Sequence, residues 1–106
     1  MRTILTTLTL FSLSAAAVWG ADAKAGQAVY GRACKSCHGP DGAANPALAK
    51  MLKVEIQDLK SPAIQRMNDA DIKKIVTDGR GKMRPVTSVS GADLDDVVAF
   101  VHSLKN

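Results

Sequence analysis

The chain is 106 residues long with a mass of 11.2 kDa, which confines it to one small domain. Hydrophobic residues make up 46% and charged residues 23%, a globular balance that excludes a disordered chain or a solenoid of repeats. The net charge of +4 alternates with acids along the chain instead of forming a block, and with 4% aromatics to stack on bases the sequence argues against nucleic-acid binding.

Arg2 is followed by an uncharged run from Ile4 to Val18 rich in Leu, Ala and Thr, and then by Ala21-Asp22-Ala23, an A-x-A cleavage pattern. Residues 1–23 therefore read as a secretory signal and residues 24–106 as one domain starting at Lys24. A second cut is open after Val18-Trp19-Gly20. The apolar run falls short of the roughly 20 residues that a membrane span needs, which argues against an uncleaved anchor, and the mature chain is not expected to insert stably in a membrane. Cutting before Lys24 removes Arg2 and Asp22 together, leaving the charge at +4, and it takes Phe11 and Trp19, so that Tyr30 and Phe100 are the remaining aromatics. That apolar inventory is thin for a domain near the lower limit of unaided folding, and a cofactor or crosslink is expected.

A first helical pattern runs from about Lys24 to Lys35, with Ala25, Val29, Tyr30 and Ala33 as a short apolar face. It leads into Cys34-Lys35-Ser36-Cys37-His38, which contains both cysteines of the chain. C-x-x-C-H is the pattern for covalent attachment of c-type haem: Cys34 and Cys37 reach the two vinyl groups, and His38 places an imidazole beneath the iron. The alternative is a redox-active or disulfide C-x-x-C with an incidental histidine, which would need a βαβ frame whose strands the sequence does not show. Zinc would need two further ligands, and His102 is the one other histidine.

His38-Gly39-Pro40-Asp41-Gly42 is a turn cluster, Asn45-Pro46 marks a loop, and Ala47 to Lys53 has the pattern of a short helix. A clearer helix begins near Asn68 or Asp69, carries Ile72, Ile75 and Val76, and stops at Asp78-Gly79. The stretch from Gly79 to Pro85 is too rich in Gly and Pro for regular structure, and it carries Met83. A haem held by one histidine has a free sixth position that a thioether from such a loop would close. Met51 and Met67 compete for that role but lie near helical segments, where methionine ordinarily fills core gaps. The last helix begins at Ser90, with Asp93 placed as in a capping box, and Leu94, Val97, Val98, Val101 and Leu104 form a one-sided stripe. His102 lies beside that stripe and reads as a surface or half-buried histidine rather than a ligand.

Taken together these elements resemble a class I cytochrome c of the short bacterial type over essentially all of residues 24–106. Gly26 and Tyr30 resemble the Gly-x-x-x-aromatic pattern that precedes the attachment motif, Cys34–His38 is the motif, Gly79-x-Gly81-x-Met83 resembles the axial-methionine strap, and Ala99-Phe100-Val101 resembles the closing aromatic motif. One departure stands out: Arg84 separates Met83 from Pro85, where the family usually has methionine directly followed by proline.

The resemblance implies an all-α fold of three to five helices around one covalently attached haem c. It implies thioethers at Cys34 and Cys37, axial iron ligands at His38 and Met83, and a Pro46 carbonyl that accepts a hydrogen bond from the proximal histidine. Tyr30 and Phe100 would meet where the first and last helices cross, with Gly26 permitting the close approach. Leu48, Ile56, Leu59, Ile75 and Leu94 would bury the porphyrin. Iron held by nitrogen and sulfur has no open position for a substrate, so the expected role is outer-sphere electron transfer and not an enzymatic reaction of its own. A monomeric periplasmic carrier working with redox partner proteins follows, with Lys35, Arg80, Lys82 and Arg84 as candidates for a positive rim. The alternatives are a haem-based sensor or ligand-binding module with a displaceable methionine, and a small cytochrome subunit of an oxidase or dehydrogenase complex.

Overall fold

The computed structural model describes residues 20–105. The expected signal run from Ile4 to Val18, with Phe11 and Trp19, lies outside the described residues. Among the described residues there are six helices and no strand, as expected for the all-α class. Two of the six are single turns of four residues, which takes the count past the three to five foreseen.

Helix α1 (Ala23–Ala33) starts where the Asp22 carboxylate accepts from the Lys24 and Ala25 amides at 2.9 and 3.3 Å, satisfying donors that the first turn leaves open. A bend at Cys34 passes the chain into α2 (Lys35–His38). Helix α3 (Pro46–Leu52) has Asn45 as its cap and proline in its first turn, where the missing amide hydrogen costs nothing. The single turn α4 (Pro62–Gln65) precedes α5 (Asp69–Asp78), which Asn68 caps through the Asp71 amide at 2.8 Å. Helix α6 (Gly91–Ser103) closes the chain. Its foreseen capping box does not form. Ser90 makes no side-chain cap bond, and Asp93 instead takes the Arg32 guanidinium of α1 at 3.0 Å.

The core gathers around α6, whose Val97, Val98, Phe100 and Val101 are buried against Val29 and Tyr30 of α1, Ile72 and Val76 of α5, and Val89. Leu94 and Leu104, the ends of the predicted stripe, are half-buried against this cluster. On α1, Ala25 is exposed and Gly26 occupies the contact instead. A Cβ on Gly26 would lie 1.9 Å from the Asp96 carbonyl oxygen and 3.0 Å from Phe100 Cβ, so the two backbones touch where only a hydrogen fits. The Tyr30 and Phe100 rings meet one turn further on, with centroids 4.9 Å apart and planes tilted by 52°. His102 joins α6 to the start of α5, lying 2.9 Å from the Met67 carbonyl oxygen and 3.1 Å from the Asp69 carboxylate. Gln65 ties the preceding loop to α6 by donating to the Leu59 and Val101 carbonyls at 2.8 and 2.9 Å.

The two α1 glycines are expected to respond in opposite directions. Gly26→Ala must separate α1 from α6 and should cost about 1–3 kcal/mol. Nothing lies within 4 Å of a Cβ on Gly31, so Gly31→Ala should gain about 0.5–1 kcal/mol from helix propensity. Denaturant unfolding of both variants measures the contrast.

Candidate functional site

Cys34, Cys37 and His38 lie on a single helical turn at the end of α1. Cys34 is half-buried and packs on the core cluster, Cys37 is exposed, and neither is bridged by a disulfide. The turn is held from two directions. From α1, the buried Tyr30 hydroxyl donates to the Gly39 carbonyl at 2.5 Å. From the following loop, the carbonyls that a helix end leaves open are met in succession: Asn45 Nδ2 donates to Ser36 at 3.1 Å, the Asn45 amide to Cys37 at 2.9 Å, and the Ala44 amide to His38 at 2.8 Å. The Asn45 Oδ1 meanwhile accepts from the Leu48 amide at 3.3 Å and starts α3. One side chain thus ends α2 and begins α3. Reaching this geometry puts Ala44 at φ 81°, a left-handed conformation that a side chain disfavours by roughly 1 kcal/mol.

Desolvation shifts the groups here. Burial holds the His38 imidazole below its ordinary value, so the neutral ring that a metal requires is favoured. Its Nδ1 is buried and has no hydrogen-bond partner. Burial first, and the neighbouring Cys37 second, push the Cys34 thiol up to about 11, which keeps it protonated and unreactive as a free nucleophile. Pro46, the foreseen acceptor for the histidine, occupies the first turn of α3 directly after the Asn45 cap, and its carbonyl makes no hydrogen bond with His38 Nδ1.

Met83 comes from a separate element. The Arg80 amide donates to the Met83 carbonyl and the Met83 amide to the Arg80 carbonyl, both at 2.9 Å. Gly81 at φ 57° followed by Lys82 with an ordinary φ makes this a type II′ turn, the tight hairpin geometry that requires glycine first. A Cβ on Gly79, itself at φ 77°, would lie 2.5 Å from the Met83 carbonyl oxygen and 2.9 Å from Pro85. The strap that the sequence marks as irregular is therefore a closed turn, returned to α5 by the Val86 amide on the Val76 carbonyl at 2.8 Å. Arg84 stands just outside the closed pair, so its insertion leaves the turn intact. Met83 is half-buried, whereas Met51 is 70% exposed on α3 and Met67 packs against the core.

Leu59 and Leu94, two of the residues assigned to a porphyrin wall, pack on the protein core, while Leu48, Ile56 and Ile75 are half-buried outside it. Apolar side chains left half-wet, a neutral histidine with an orphaned buried nitrogen and two unbridged thiols on one turn together fit a covalently attached haem. The nearby groove of about 470 Å³, lined by Gly31, Lys35, Pro40, Ala44 and Pro46 among others, includes none of the cysteine, histidine or methionine side chains and is a separate surface feature.

A family model described as cytochrome c oxidase, cbb3-type, subunit III matches residues 21–101. The chain belongs to this cytochrome c family. Covalent haem c is accordingly its cofactor, and electron transfer its kind of chemistry. Among solved structures it is similar to the KustC0563 c-type cytochrome, with a TM-score of 0.64 over 76% of this chain and 98% of that one. At 24% identity that likeness establishes the fold. No curated protein matches the chain. This cytochrome has no helix among the described residues that is long and apolar enough to cross a membrane.

The sequence pointed to the motif residues and Met83 but not to Asn45, whose contacts reach nine residues back to Ser36. An Asn-Pro pair before an apolar helix carries the capping signal for α3 alone. Asn45→Ala should cost about 1–2 kcal/mol by releasing Ser36 and uncapping α3, read by thermal unfolding. Tyr30 provides a second check. Burial above all pushes its hydroxyl from 10.0 up to about 12, so the folded state resists ionisation that the unfolded state accepts. Stability from this group should be complete below pH 10 and fall as pH rises through 10 to 12. Tyr30 is the chain's one tyrosine, so ultraviolet titration of tyrosinate follows it alone.

Proposed function

We propose that this cytochrome is a periplasmic single-electron carrier. In this reading Cys34 and Cys37 would hold haem c through thioethers, His38 and Met83 would supply the iron's side-chain ligands, and the Pro46 carbonyl, which does not meet His38 Nδ1 in the structure, would be the acceptor for that nitrogen. The observation that carries it is the braced turn in which Cys34, Cys37 and a neutral His38 stand together with the histidine Nδ1 enclosed and unpartnered. Haem c supplies a one-electron Fe(III)/Fe(II) couple.

The chain's own residues set how that couple is used. His38 gives a neutral nitrogen, and a carbonyl on its other nitrogen fixes the ring and raises its basicity as a ligand. Met83 gives a soft thioether, which favours Fe(II) and raises the potential over a second nitrogen. With both side chains as ligands, no position would be left for a substrate on the iron. The half-buried Leu48, Ile56 and Ile75 would provide apolar contact that disfavours the extra charge of the oxidised state.

Lys35, Arg80, Lys82 and Arg84 are all exposed, and none is in an ion pair among the described residues. Asp41, a neighbour of the motif in sequence, is engaged by Lys60 at 3.6 Å and does not neutralise them. This distribution supports steering of an acidic redox partner. The family description favours a second reading, a small cytochrome subunit of an oxidase complex, which differs in partner and not in chemistry. Co-purification with a membrane oxidase under mild detergent separates the two.

Protein made with a haem-maturation system should show a c-type reduced-minus-oxidised spectrum and a methionine-to-iron band when oxidised. Met83→Ala should abolish that band, lower the potential and let the reduced form bind carbon monoxide. A variant whose band and potential are unchanged would remove Met83 from the iron. Lys82→Glu with Arg84→Glu should slow reduction by an acidic partner several-fold at low ionic strength and flatten the salt dependence of the rate.

A further inference from the structure

The geometry points to the Gly20–Ala21 peptide bond as the place where the leader is removed, three residues before the Lys24 start suggested by Ala21-Asp22-Ala23. Asp22 is built into the folded domain. Its carboxylate caps α1 through the Lys24 and Ala25 amides, its carbonyl accepts from the Gly26 amide at 2.9 Å, and its own amide donates to Asp96 Oδ1 of α6 at 2.9 Å. A chain beginning at Lys24 loses all of these. It also releases the amide of Gly26, the residue at which α1 touches α6, and places a terminal ammonium and a lysine side chain at the positive end of the helix dipole.

Cleavage after Gly20 keeps every one of those bonds. The new Ala21 ammonium then stands at a hollow that Gly20 and Ala21 line together with Asp22, Ala25, Ala92, Asp95 and Asp96, and that loses its Gly20 wall on cleavage. Asp95 is shared with Lys73 and Asp96 with the Asp22 amide, so the added cation meets carboxylates already in place. Two further observations agree. The family match begins at residue 21, and Val18 and Gly20 put small side chains at the third and first positions before the bond. The step is a hydrolysis by an export leader peptidase: water adds across the Gly20–Ala21 amide, the C–N bond breaks, Gly20 leaves as a carboxylate on the leader, and Ala21 nitrogen takes the proton to become an ammonium.

The test is N-terminal sequencing and intact mass of the haem-loaded protein exported from the full chain. A mature terminus of Ala-Asp-Ala-Lys is expected, whereas a terminus at Lys24, or a chain still carrying residues before Ala21, overturns the assignment. Ala23→Leu distinguishes the two bonds independently of folding yield. Processing at Ala21 should continue unchanged, and precursor accumulation in that variant also overturns it. Asp22→Ala in the mature protein should lower the unfolding midpoint by about 4–8 °C, as loss of a helix cap in a domain of this size does, and an unmoved midpoint defeats the structural argument.

Discussion

The contact between the Gly26 backbone and the Asp96 carbonyl fixes how closely α1 can lie on α6, and the rest of the molecule is positioned from it. With the helices in touch at that point, Tyr30 and Phe100 come into ring contact one turn later. Tyr30 in turn reaches past the end of α1 to hold Gly39. The turn that carries Cys34, Cys37 and His38 is thus registered against the C-terminal helix through a short chain of contacts, each dependent on the one before. In a domain with so few large apolar side chains, a close helix crossing supplies packing that bulk cannot.

Residues whose role depends on local pattern were legible in the sequence. The α6 stripe, the α5 cap at Asn68 and the span of α3 follow from periodicity and cap chemistry and lie where expected. The Tyr30–Phe100 pairing and the Gly26 approach came from family resemblance, since nothing in spacing alone says which two helices cross. The Ser90 and Asp93 box failed for a tertiary reason: Arg32 on another helix competes for the carboxylate. Asn45 and Gln65 were invisible for a related reason. Their contacts join segments that only the folded chain brings together, and an amide side chain in a loop has no periodicity to announce it.

Charge is also partitioned by the fold. Asp93, Asp95 and Asp96 of α6 each engage a group on α1, on α5 or at the chain's approach to α1, so the acidic start of the last helix is taken up in contacts within the fold. The basic residues of the strap and of the Cys34–His38 turn have no such partners among the described residues.

The closed turn that carries Met83 sets a threshold for movement at that end of the molecule. A sulfur mounted on a floppy loop could drift away by rotating a few side-chain bonds. Mounted between reciprocal amide bonds, with Gly79 pressed against the turn and Val86 pinned to α5, its carrier departs as a unit, and the cost is that of fraying the C-terminal end of a helix. If Met83 serves as proposed, exchange of its sulfur would be a cooperative opening event governed by the helix terminus.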